Sequence, residues 1–110
     1  MYDIIDFHAH VYPEKIAMRA AQSTGDFYMI PMKHEGSVKN LLESGDEGGV
    51  KRFVVQSVAT TPAQVTSINN FIAQECREHP DRLIGLGTLH PKMENASEEI
   101  ERCIALGLHG

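Results

Sequence analysis

The chain has 110 residues, 42% of them hydrophobic and 23% charged, with a formal net charge of −5. No apolar run approaches the roughly 20 residues that a membrane helix needs, and nothing is collagen-like or low in complexity. Lys and Arg form no cluster that could neutralise a run of phosphates, which argues against a nucleic-acid surface though not against one nucleotide held through a metal.

The N-terminus, MYDIIDFHAH, carries acids where a signal peptide needs basic residues, so a cytoplasmic protein is expected. Ile4 to Phe7 is a short apolar run that suits a buried strand. Pro13 then opens a helical stretch, PEKIAMRAAQ, expected to end near Gly25, and residues 26–36 read as an irregular loop. Ser37 has the chemistry of an N-cap for a helix with Val38, Leu41 and Leu42 on one face and glycines at its end.

A second strand, VKRFVVQSV, follows, with its regular part near 52–57. Thr60, Thr61 and Pro62 cap a long helix whose apolar positions Val65, Ile68, Ile72 and Cys76 recur at helical spacing, and Pro80 stops it. A third strand is expected near 83–89, with Gly85 and Gly87 permitting close approach of neighbouring backbone. Pro91 and Asn95 introduce a last helix with Ile100, Cys103, Ile104 and Gly107 as its inward stripe, Gly107 doubling as C-cap. Cys76 and Cys103 form no CxxC pair and read as reduced thiols packed like small apolar groups.

Repeated strand–helix alternation implies right-handed βαβ units and a parallel sheet. The fold class expected is α/β. A closed (β/α)₈ barrel takes about 250 residues, so these residues read as its first three β/α units, one incomplete domain over 1–110.

The chemistry concentrates in Asp6-Phe7-His8-Ala9-His10. Strand side chains alternate, so Asp6, His8 and His10 share one face, and same-face neighbours lie about 6–7 Å apart. Two imidazoles at that spacing can lean onto one cation. The pair also falls at the C-terminal end of its strand, the end where β/α barrels build active sites. A bare HxH is a weak signal, and the plainer reading is two solvated histidines in a turn. The strand before it and the β/α alternation after it favour metal ligation.

The stretch IIDFHAHVYPEKIA resembles the opening of the amidohydrolase superfamily, in particular its amidohydrolase-2 branch of metal-dependent hydrolases and aromatic decarboxylases. HPDRLIGLGTLHP and EEIERCIALGLHG continue the resemblance, as a third strand and a segment leading into a fourth. The resemblance implies that His8 and His10 are metal ligands, with zinc the expected ion and manganese a second choice. It also implies a further His and an Asp, the latter the general acid/base, beyond Gly110.

Asp6 could orient one of the histidines from behind the metal, or simply bond backbone. His90, at the end of the third strand, is a candidate substrate contact, as are Gln56, Ser57 and Thr60 after the second. His34 is expected to pack, and His79 and His109 to be structural, His79 at a helix C-terminus where the dipole favours it.

The function expected is hydrolysis or decarboxylation of a small carboxylated, amide, ester or lactone substrate. A metal-dependent nuclease or phosphoesterase is the enzymatic alternative. A partial barrel that works only with another chain is the non-enzymatic one. Expected partners are a small-molecule substrate, with neither nucleic acid nor membrane, and a homo-oligomer is compatible with the sequence.

Overall fold

A computed structural model describes residues 2–29, 31, 34 and 36–110. The elements in chain order are β1 (Ile4–His10), α1 (Glu14–Tyr28), α2 (Val38–Gly48), β2 (Val50–Gln56), a 3₁₀ turn (Pro62–Gln64), α3 (Val65–Glu78), β3 (Leu83–Gly85) and α4 (Ala96–Ala105). The three strands form one sheet in the order β1-β2-β3, and both pairs are parallel. Sequential parallel strands with helical crossovers are the repeating unit of a β/α barrel, and the described residues hold three such strands. Among the described residues, no helix is long and apolar enough to cross a membrane.

The core lies between the sheet and its helices. Phe53, Val55 and Leu83 meet Ile72, Ala73, Cys103 and Leu108 there, with Leu41, Leu42, Ile68 and Cys76 packed at its margin. The expected α3 stripe is therefore the buried one, and Ile72 is 0% exposed. Gly85 is required by this packing. A Cβ there would stand 2.7 Å from Leu108 Cδ2, 2.8 Å from Cys76 Sγ and 2.9 Å from Ile72 Cγ2. The close approach comes from side chains rather than from neighbouring backbone.

Local chemistry explains the helix ends. Ser37 Oγ accepts from the Asn40 N–H at 3.1 Å, and Gly49 closes α2 with a left-handed φ of 74°. Thr61 and Gln64 form a reciprocal capping box at the 3₁₀ turn that leads into α3. His79 ends α3 just before Pro80. Gly107, at φ +91°, follows α4 and donates its N–H to Ile104 O at 3.0 Å, as a residue just past a helix should.

Three expectations need correction. First, α1 runs past the buried Gly25 to Tyr28, and its C-cap is Met29 in the left-handed region. The Gln22–Asp26 side-chain bond of 2.9 Å spans Gly25 and supports the extra turn. Of the segment expected as loop, residues 30, 32, 33 and 35 lie outside the described residues.

Second, regular β3 pairing ends at Gly85 instead of near 89. Leu86 N–H still reaches Val55 O at 3.0 Å, but both backbone groups of Thr88 turn to the Asn69 side chain of α3.

Third, α4 does not bury Ile100 and Ile104, which are 46% and 66% exposed. It buries Cys103, as expected, together with Glu99, because Cys103 packs beside Gly87 and Glu99 bonds Asn69. Past α4, His109 donates its N–H to Gly85 O at 2.9 Å and Gly110 O accepts from Gly87 N–H at 2.7 Å. Residues 109–110 thus lie along the free edge of β3.

Candidate metal centre

His8 and His10 close β1 at its C-terminal end, and all three strands run the same way, so their C-terminal ends form one rim. The two imidazoles converge: His8 Nε2 lies 3.0 Å from His10 Nε2, with ring centroids 5.0 Å apart. Such a separation serves either one N–H···N bond or two lone pairs meeting at a cation. Zinc–nitrogen bonds of about 2.0–2.1 Å place two ligand nitrogens roughly 2.9–3.4 Å apart, depending on the angle at the metal. The pair fits that requirement.

Their convergence owes something to an irregularity in the ladder. Asp6 pairs with Phe53 and Ala9 with Val55, so β1 spends three steps where β2 takes two. This is a bulge at Phe7–His8, a device that re-aims side chains. A bulge frees a backbone N–H from the ladder, and here the His8 N–H donates to Asp6 Oδ1 at 3.0 Å. Asp6 therefore meets the backbone of His8, the plainer of the two roles considered for it. Its carboxylate fixes the strand that carries the pair.

Partial burial, and then the neighbouring His8, hold the His10 imidazole below the usual histidine range. A neutral ring is the form that binds metal. Among the described residues, no third His, Cys, Asp or Glu joins this pair in a cluster.

The other candidates separate clearly. Gln56 pairs with His10 across the ladder, and its carbonyl accepts from the Val11 N–H at 3.0 Å, which keeps it beside the pair. Ser57 is buried. The Thr60 hydroxyl donates to Gln64 Oε1 at 2.9 Å, so it serves the cap of α3. His90 lies at the rim beyond β3, where its Nδ1 accepts from the Lys92 N–H at 3.1 Å and its carbonyl from the Met93 N–H. It shapes a turn. His34 is exposed. His79, at the end of α3, has its Nε2 3.9 Å from Glu75 Oε2, and with Glu78 these side chains form a three-donor group well along the chain from the His pair.

A buried polar cluster was not anticipated. Asn69 is 0% exposed, and it bonds Thr88 and Glu99. Arg102 grips Glu99 through Nε at 2.9 Å and Nη2 at 2.7 Å, which holds that carboxyl below the usual carboxylate range despite burial. The signal was a polar residue inside an apolar stripe: Asn69 sits between Val65 and Ile72 at helical spacing.

A parallel β/α sheet with a histidine pair on the C-terminal rim of its first strand has the architecture of part of a β/α barrel. The amidohydrolase family profile of the Amidohydro_2 branch matches residues 5–110, and the chain belongs to that family. A search of curated proteins found no match.

Among solved structures, it is similar to 5-carboxyvanillate decarboxylase of Novosphingobium aromaticivorans, complexed with manganese and 4-hydroxy-3-methoxy-5-nitrobenzoic acid (20% identity, TM-score 0.70, 97% of this chain and 40% of that one). It is also similar to 4-oxalomesaconate hydratase of Rhodopseudomonas palustris (22%, 0.61, 96% and 39%). A third is a probable 2-pyrone-4,6-dicarboxylic acid hydrolase of Acinetobacter baumannii with citric acid bound (21%, 0.59, 99% and 36%). The chain thus spans 36–40% of the length of these proteins.

Proposed function

We propose that His8 and His10 are two ligands of a divalent cation, and that the whole protein uses it to decarboxylate or hydrolyse a small carboxylated substrate. The observation that carries this reading is the 3.0 Å convergence of the two Nε2 atoms at the strand rim. The same separation suits one N–H···N bond, and the position of the pair at the C-terminal rim of a parallel β/α sheet favours the cation. Family membership and the compounds bound to the similar proteins support the substrate class.

When bound, a divalent cation acts as a Lewis acid that polarises a substrate or water oxygen. The residues of this chain would do the rest of the local work. His8 and His10 present lone pairs, and the low affinity of His10 for a proton keeps its lone pair available near neutral pH. Asp6 holds the bulge that aims His8. Gln56, beside His10, offers a side-chain amide to the polar end of a substrate. Imidazole nitrogen suits zinc well, whereas the decarboxylase of N. aromaticivorans carries manganese. Zinc is our first assignment.

The test uses the full-length protein loaded in turn with Zn²⁺ and Mn²⁺. It is offered hydroxylated benzoates, with CO₂ release measured, and a dicarboxylated lactone, with ring opening measured. Turnover of one of these that disappears in H8A and H10A is the expected result. Turnover unchanged in both variants would reject the assignment.

A further inference from the structure

Asn69 lies wholly inside the protein, on the buried stripe of α3, yet its amide is fully engaged. Oδ1 accepts from the Thr88 N–H at 2.7 Å, and Nδ2 donates to the Thr88 carbonyl at 3.0 Å. Those two bonds reproduce what a neighbouring strand would give Thr88. The Asn69 Nδ2 also donates to Glu99 Oε1 at 2.9 Å. A carboxylate only accepts, so Glu99 fixes which end of the amide faces it, and hence which end faces the Thr88 N–H. Arg102 secures Glu99 in two places and is itself tied to Asn70 Oδ1 at 2.6 Å and to Thr66 O at 3.3 Å.

The location gives this cluster a use. The sheet fixes β3 as far as Leu86, whose N–H reaches Val55 O. At Thr88 control passes to Asn69. Two residues later His90 forms its turn on the same rim as His8 and His10.

We propose that Asn69, clamped by Glu99 and Arg102, is a positioning residue that sets where Thr88–His90 enter the rim, and through His90 it orients substrate at the His8–His10 cation. This rests on the metal reading above. Asn69 touches neither cation nor substrate, and α3 and α4 hold the rim from behind.

The experiment uses the full-length protein loaded with Co²⁺, which binds imidazole sites and displaces the NMR signals of nearby protons according to their distance and direction. Shifts of the His90 ring protons and of the Ala9 and Gln56 amides are compared in wild type, N69A and the double variant N69D/E99Q. The double variant reverses the donor and acceptor of the 69–99 bond and keeps the acceptor for the Thr88 N–H, but it removes the donor to the Thr88 carbonyl.

In N69A the His90 shifts move while Ala9 and Gln56 stay fixed, and the Thr88 amide exchanges with solvent about tenfold faster or more, as loss of a buried bond partner implies. N69D/E99Q, which restores the Thr88 N–H bond but not the bond to the Thr88 carbonyl, returns the His90 shifts only part of the way to wild type. If N69A does not fold, N69D alone, which keeps the Thr88 acceptor but sets a carboxylate against Glu99, serves in its place. Unmoved His90 shifts in a folded variant with only a lower Tm would overturn the proposal, leaving Asn69 a packing residue. Absence of Co²⁺-induced shifts already in wild type would overturn the metal reading and this proposal with it. That failure is distinguishable because it appears before any substitution is made.

Discussion

The β1–α1 segment and the β2–α3–β3–α4 body are built on opposite terms. In the body, α3 buries Val65 and Ile72 almost completely, and the one polar residue in that stripe is satisfied by Thr88 and Glu99. Along α1 the buried residues are small, Ala17, Ala21 and Gly25, while Met18, Phe27 and Tyr28 are 68%, 80% and 64% exposed. On β1 only Ala9 is buried. Within the described residues the candidate chemistry therefore sits on the less covered segment, where one side-chain bond from Asp6 braces the bulge. Most of the packed core falls on β2, β3, α3 and α4, while Ala9 and Val11 tie the candidate site to it.

Substitutions test that contrast. The largest effect is expected for I72A, which removes a side chain 0% exposed and should cost about 2–5 kcal/mol, read as a lower midpoint in urea unfolding. Next comes G85A, which forces a methyl group against Leu108, Cys76 and Ile72 and should cost about 1–3 kcal/mol in the same measurement.

E99Q should cost about 1–3 kcal/mol at neutral pH through its weakened bonds to Arg102 and Asn69. This loss should depend on pH. The Glu99 carboxyl is held below its unfolded value, chiefly by Arg102, so its contribution is complete above the unfolded value and fades as pH falls through the folded one. The Tm difference between wild type and E99Q should therefore narrow in acid. A difference that widens there would contradict the account of the cluster.

The smallest effect is expected on α1. In the 110-residue chain, M18S and F27S should each change stability by no more than about 0.5 kcal/mol, since both side chains are largely exposed there. A large loss at either position would erase the contrast between the two segments.

Much of this organisation was legible in the sequence, for physical reasons that differ by element. The two-residue spacing of His8 and His10 on a strand made their convergence legible. The bulge was not legible: it depends on pairing with Phe53 and Val55 on another strand. The α3 stripe could be read from its periodicity, whereas the end of β3 could not, because Asn69 takes over the Thr88 backbone from a distant part of the chain.

Ile100 and Ile104 misled for a related reason. Apolar periodicity does not say which flank of a helix meets its neighbour, and in α4 the bond from Asn69 to Glu99 draws in the adjoining flank. Gly25 misled because a glycine can be accommodated inside a helix that is supported on either side, at a cost of only about 1 kcal/mol.

The central claim, that His8 and His10 share a cation, is tested most directly by titrating metal-free full-length protein with Zn²⁺ and Mn²⁺ in a calorimeter. Wild type is compared with H8A, H10A and the triple variant E75Q/E78Q/H79A, which removes the three-donor group found among the described residues. The account predicts one ion per chain in wild type and in the triple variant. It predicts an affinity reduced by about 100-fold or more in H8A and in H10A, since even residues that merely support a ligand cost 10–100-fold when lost. Full affinity in H8A and H10A, with loss in the triple variant, would contradict it.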